Sequence, residues 1–203
     1  ILSMSHGFLS ETFIRVDILV LMLFLDDAAV GTYSFAAFFV EGIYQLPVLV
    51  RNISNPRLVP IFSGRLGGSL RALVLRSGGL SFFLTAAAAG AFLAIAPLIA
   101  ELIEIPQFDL VYQVLLVILP ALAVHAFSIP FDYALLHADR PALQSGYMLL
   151  TTLLNLGANI VLIPVYGLIG AAYGTAIALI GASLILWAAF FFIFRIHTWT
   201  EDT

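Results

Sequence analysis

The side chains able to do chemistry are few, and almost all of them sit inside runs of apolar residues. Arg15 and Asp17 interrupt the stretch 5–25, and Glu41 interrupts 28–50. An ionisable group within a bilayer must pair, lose its charge or face water, so each marks a possible binding or ion-moving site. Arg15 precedes Asp26 by eleven residues, which puts it roughly 16 Å below the helix end. Its guanidinium offers paired donors for phosphate or carboxylate. Glu11 sits one turn earlier, in the favourable order for an ion pair, and snorkelling to the interface is the plainer role. Asp17 projects from the opposite face of the same helix. Glu41 is as deep as a span allows, with Gln45 at i+4 and Pro47 at i+6 freeing a backbone carbonyl. It either pairs with Arg15 or takes part in function. Asn155 and Asn159, with Thr151, form a stripe at i, i+4, i+8. Such asparagines join helices by default and line a wet cavity otherwise.

A second group suits proton transfer. His125, Ser128 and Asp132 are spaced i, i+3, i+7, with Pro120 before them and Pro130 just ahead of Asp132. On one face of a kinked helix, a histidine and a carboxylate could take up and release a proton. Equally, Asp132 is an interfacial group near Arg140 and His125 a packed, hydrogen-bonded residue. The candidate substrate-binding set is therefore Arg15, Asp17, Glu41, Asn155 and Asn159, and the candidate ion-coupling set is Glu41, His125 and Asp132. Pro47, Pro120 and Pro130 are hinge candidates, while Gly170 and Gly174 form a GxxxG seam for close helix approach. No catalytic residue is expected. There is no GxSxG elbow and no HExxH, and the four histidines at 6, 125, 137 and 197 are scattered. Gly64-Arg65-Leu66-Gly67-Gly68-Ser69 lacks the Lys-Ser/Thr ending of a phosphate loop. Neither a metal nor a cofactor is expected.

The elements that must position these groups are set by composition. Of 203 residues, 62% are apolar and 10% charged, where about 25% charged is usual. That excludes a soluble enzyme, a nucleic-acid-binding domain and, with no cysteine, a disulfide scaffold. The expectation is an all-α integral membrane protein of six spans, at about 5–25, 28–50, 77–100, 110–131, 142–163 and 168–194, with the lipid bilayer as its first partner. Arg51, Arg57, Arg65, Arg71 and Arg76 fall in a basic loop, 51–76, part of which (69–76) could lie as an amphipathic helix on the membrane surface. Arg140 and Arg195 fall on that same side. Asp26, Asp27, Glu101, Glu104 and Asp109 fall on the other. The positive-inside rule puts the arginines and both termini in the cytoplasm. No charged n-region precedes the first apolar stretch, so no signal peptide is expected, and the start at Ile1 reads as the continuation of something longer.

Two stretches carry a family resemblance. Asn155-Leu-Gly-Ala-Asn159-Ile-Val-Leu-Ile-Pro164-Val-Tyr-Gly167-Leu-Ile-Gly170-Ala-Ala-Tyr-Gly-Thr175 resembles the second half of polysaccharide flippases. There a span with spaced asparagines is followed by Leu-Ile-Pro, Gly-x-x-Gly-Ala-Ala and a nearby Thr. Arg15-Val-Asp17, the Leu-Phe-Leu that follows, and Val30-Gly31-Thr-Tyr33 resemble the seventh span and its turn; Pro47, Pro56 and Pro60 also fit. The likeness runs from about Ser10 to Phe194, within the multidrug/oligosaccharidyl-lipid/polysaccharide superfamily. It implies a six-helix bundle like the C-terminal lobe of a MATE-like flippase, in the plasma or inner membrane, with a preceding six-span lobe as its missing partner. It also implies a function: flipping a polyprenyl-diphosphate-linked oligosaccharide to the outer face by alternating access. Arg15 would face the diphosphate, with Asp17 or Glu41 as its carboxylate partner in the empty site. Two other classes stay open, a drug or metabolite exporter of the same superfamily and a six-span accessory subunit without transport. No nucleic-acid partner is implied.

Overall fold

The computed structural model describes residues 16–62, 70–103 and 107–194. Arg15, its neighbour Glu11, Arg65, Glu104 and Arg195 lie outside the described residues. Where described, the chain is all helix and turn, without a strand. The elements are α1 (Val16–Phe24), α2 (Asp27–Phe62), α3 (Leu70–Ile103), α4 (Phe108–Ala126), a 3₁₀ turn (Ile129–Phe131), α5 (Ala134–His137) and α6 (Pro141–Phe194). Four helices are long and apolar enough to cross a membrane: Asp27–Arg57, Arg71–Leu102, Phe108–Ala126 and Pro141–Phe191. So apolar a chain cannot leave backbone groups unpaired in lipid, and helices satisfy them internally.

Asp26 makes the turn between α1 and α2, its Oδ1 accepting the Ala29 N–H at 2.9 Å. A carboxylate at a helix start both caps it and complements its dipole. α2 then runs for 36 residues, through Pro47, Pro56 and Pro60. The expected basic loop from 51 is thus helical as far as Phe62, and 70–76 forms the opening turns of α3 rather than a separate surface helix. Polarity and prolines suggested a loop, but a proline removes only one hydrogen bond and bends a helix without having to end it. Ser54 Oγ donates to Ser77 Oγ at 3.0 Å where α2 ends and α3 begins.

α4 is the interior helix. Half of its spanning window is buried (50%), against 22% for that of α2 and 17% for that of α3. Leu115, Ile118, Leu119 and Leu122 of α4 pack with Leu21, Tyr33, Ala36, Ala171 and Ala172 in the main core. Leu23, Phe38, Phe83 and Leu102 point outward, as lipid-facing side chains do. Gln107 at the start of α4 accepts a hydrogen bond from Thr32 Oγ1 at 3.1 Å, so α2 and α4 begin at the same end of the bundle.

α4 stops at Ala126, five residues short of the expected boundary. Pro130 is the reason: it has no N–H to give the Ala126 carbonyl, and the chain tightens into the 3₁₀ turn. Ser81 Oγ on α3 donates to that carbonyl instead, at 2.5 Å. Pro130 therefore ends a helix, whereas Pro120 lies inside α4.

α6 counts 54 residues but reverses at Gly167, whose φ of 59° and ψ of −134° are not helical. A Cβ on Gly170 would collide with the Leu162 carbonyl, one on Gly174 would meet Asn159 Oδ1 at 2.7 Å, and one on Gly181 would strike Leu154. Residues progressively farther apart in sequence are thus in contact, so 141–166 and 168–194 form an antiparallel hairpin. Its second arm carries Leu186, Trp187 and Phe190 onto Phe131 and Ala134 in a smaller cluster.

Candidate functional site

A cavity of about 370 Å³ opens among α1, α2, α4 and both arms of α6. Its lining on α2 is a single stripe, Tyr33, Ala37, Val40, Glu41, Tyr44 and Arg51, one face at helical spacing. The inner end is Asp17, buried on α1. Asp17 Oδ2 accepts from the Tyr33 hydroxyl at 2.5 Å and from Thr175 Oγ1 at 3.1 Å. The two hydroxyls are 3.0 Å apart, and Asp17 Oδ1 accepts the Ile18 N–H at 2.9 Å. Three helices meet on one carboxyl, which replaces the hydration a buried acid needs.

The other end of the cavity lies beyond the end of α4. Asp132 and Arg51 form the one ion pair among the described residues, at 3.9 Å, with side chains 16% and 17% exposed. That spacing is too long for a hydrogen bond. Arg51 Nε and Asp132 Oδ1 are both buried and unpartnered. The guanidinium lies 5.0 Å from the centre of the Tyr133 ring, a cation–π distance. Gln144 Nε2 donates to the Asp132 carbonyl at 2.8 Å and ties the start of α6 to this end. Burial pushes the Asp132 carboxyl up to about 7, with Arg51 pulling the other way.

The remaining sequence candidates separate. His125 and Asp132 both line the cavity, but His125, Ser128 and Asp132 do not share one helical face, because α4 ends between them. His125 Nδ1 is 2.8 Å from Ser183 Oγ, and Ser128 Oγ accepts from Trp187 Nε1 at 2.9 Å. Both therefore face the second arm of α6, while Asp132 turns to α2. Asn155 lines the cavity. Asn159 donates to the Asn155 carbonyl at 2.9 Å and to Asn155 Oδ1 at 3.0 Å, within its own helix, and its Oδ1 is unpartnered. Glu41 is half-buried and borders both the cavity and an open groove with Phe38, Phe39 and Phe92. Gln45 does not reach its carboxyl; Gln45 Nε2 bonds the Glu41 carbonyl at 3.4 Å.

Arg51, Tyr33 and Thr175 did not stand out in the sequence as site residues. Arg51 looked like one more loop arginine, and Tyr33 and Thr175 entered only as part of the family resemblance, with no site role. The stripe on α2 was the available signal. Among the described residues the lining sets three carboxylates (Asp17, Glu41, Asp132) and four tyrosines (33, 44, 133, 147) against one guanidinium. It can hold a polar ligand through hydroxyls, amides and phenol rings. No group of three or more His, Asp or Glu there is placed to hold a metal ion. No family model, curated protein or solved structure matches this chain.

Proposed function

We propose that the chain is one lobe of an alternating-access transporter in the plasma or inner membrane. It moves a polyprenyl-diphosphate-linked oligosaccharide from the cytoplasmic to the outer face, together with a second six-span lobe. One observation carries the reading: the cavity is one-ended. Its lining runs from Asp17, Tyr33 and Thr175 to Arg51 and Asp132, and no residue of 27–32, 107–117 or 156–174, at the other end of the helices, contributes to it. A recess with a largely apolar lining, studded with charged and hydroxyl groups, that extends to the arginine-bearing end of the helices and stops short of the other suits a substrate loaded from the cytoplasm. Tyrosines, Gln144, Thr151, Thr152 and Asn155 supply the stacking faces and hydrogen-bonding groups that sugars need. The six spans of this reading are the segment ending in α1, then α2, α3, α4 and the two arms of α6, with both termini cytoplasmic.

The test is complementation. Expressed with its partner lobe in a strain lacking its flippase, the chain should restore polysaccharide export. Arg15→Ala should abolish it at normal protein level, and Arg15→Lys should retain part. Full export by the Ala variant would remove Arg15 from the diphosphate site. The acidic, tyrosine-rich lining favours a second reading, export of an organic cation by the same kind of lobe. Extrusion of ethidium that depends on Asp17, without any polysaccharide export, would decide for it.

A further inference from the structure

Arg51 is a cation whose needs are unmet. It lines the cavity, its Nε is buried without an acceptor, and among the described residues the carboxylate that it faces, Asp132, stands at 3.9 Å with one oxygen also unpartnered. Two opposite charges this close, neither hydrogen-bonded to the other, hold a place and do not saturate it. The depth is suitable. Arg51 lies twenty-four residues along α2 from Asp27, about 36 Å down the axis, where the opposite headgroup layer begins. The Tyr133 ring holds the guanidinium from one side, and the cavity-lining Tyr44 and Tyr147 carry further hydroxyl donors.

We propose that Arg51, with Tyr44, Tyr133 and Tyr147, forms a phosphate-binding site at the mouth of the cavity, and that Asp132 occupies it when no ligand is bound. The ligand class is a phosphate or diphosphate ester. The site deepens the transporter reading and rests on it for the diphosphate; it would be where the carrier's headgroup first docks, before the sugar reaches Asp17. Phosphate can engage the paired guanidinium donors together, which Asp132, standing 3.9 Å away with one oxygen unpartnered, does not do here. Asp132 must yield for the anion to enter. The charged and titratable groups facing it are Arg51 from α2, Tyr44 from α2, the adjacent Tyr133 and Tyr147 from α6. Only Arg51 among them is basic, and a carboxyl that burial already pushes toward neutrality at pH 7 leaves it readily.

Calorimetric titration of the purified 203-residue chain in phosphatidylcholine nanodiscs tests this, with inorganic pyrophosphate in one arm and farnesyl diphosphate in the other. Both should bind; Arg51→Ala should weaken binding about tenfold or more, the loss of one charge-assisted contact. Asp132→Asn should tighten it several-fold, because the internal competitor is gone. Binding of farnesyl diphosphate alone, with the same response to both variants, supports the site and names a lipid headgroup as its ligand. No binding in either arm overturns the proposal, as does an Arg51→Ala variant that binds like wild type. Should Arg51→Ala fail to fold, Asp132→Asn decides: affinity equal to or below wild type overturns it. The outcomes separate from complementation. A site that binds in a chain that restores no export sinks the flippase reading alone, and export with unaltered binding in the variants sinks the site alone.

Discussion

Asp132, just beyond the end of α4, is a carboxyl whose protonation changes on folding. Burial raises it from the ordinary 3.8 to about 7, against the pull of Arg51. The folded state thus binds a proton that the unfolded state has already lost, and linkage sets the sign. The contribution of Asp132 to stability is full below about pH 4 and is lost as the pH rises toward 7. Thermal melting in nanodiscs should therefore fall between pH 5 and pH 8, and the Asp132→Asn variant should show a flatter profile. A wild-type profile as flat as that of the variant would contradict the assignment. At this scale the sequence was informative at many of the polar groups set among apolar ones, though not at Asn159, which bonds within its own helix and is not among the lining residues. Asp17, Glu41, His125, Asp132 and Asn155 all line the cavity. Arg51 escaped notice because a cation near a span end already has an explanation, and only its missing hydrogen bonds distinguish it.

Helix ends depend on finer chemistry than helix interiors. The Gly167 reversal and the start of α2 at Asp27 were readable, since glycine at positive φ and an acidic cap are local devices. The course of α2 through Pro56 and Pro60 was not, because hydropathy registers polarity while a helix is held by backbone bonds. Seam glycines give the test at this scale. A Cβ at Gly170 meets backbone, one at Gly174 meets the end of the Asn159 side chain, and one at Gly157 meets nothing within 4 Å. Gly170→Ala should cost about 2–3 kcal/mol through overpacking. Gly174→Ala should cost less, since a side chain gives way more easily than a carbonyl. Gly157→Ala should be neutral or stabilising by up to about 1 kcal/mol. Chemical denaturation of the three variants checks the order, and equal effects at Gly170 and Gly157 would contradict the hairpin packing.

Seen whole, the bundle has two chemically distinct ends. Asp26, Asp27 and Asp109 lie at one, and Arg51, Arg57 and Arg140 lie at the other. That polarity was legible because basic and acidic residues alternate from one inter-span segment to the next along the sequence. The shape of the cavity was not, because it depends on which faces of five helical segments converge. The chain has no cysteine, so single cysteines can report the orientation in intact cells. An impermeant maleimide should label position 27 and leave position 57 unlabelled until the cells are opened. Labelling of 57 but not 27 would invert the topology and place the cavity mouth outside.

The bond from Ser81 to the Ala126 carbonyl has an evolutionary consequence. That hydroxyl stands in for the N–H that Pro130 cannot supply, so the serine is needed only while the proline is present. The two positions should be epistatic. Ser81→Ala alone should cost about 1–3 kcal/mol, the penalty for an orphaned buried acceptor. In a Pro130→Ala background, where residue 130 regains its own donor, the same change should cost measurably less, and a double-mutant cycle reads the difference. Substitution histories across relatives should then show residue 81 drifting freely only in lineages that have already lost the proline.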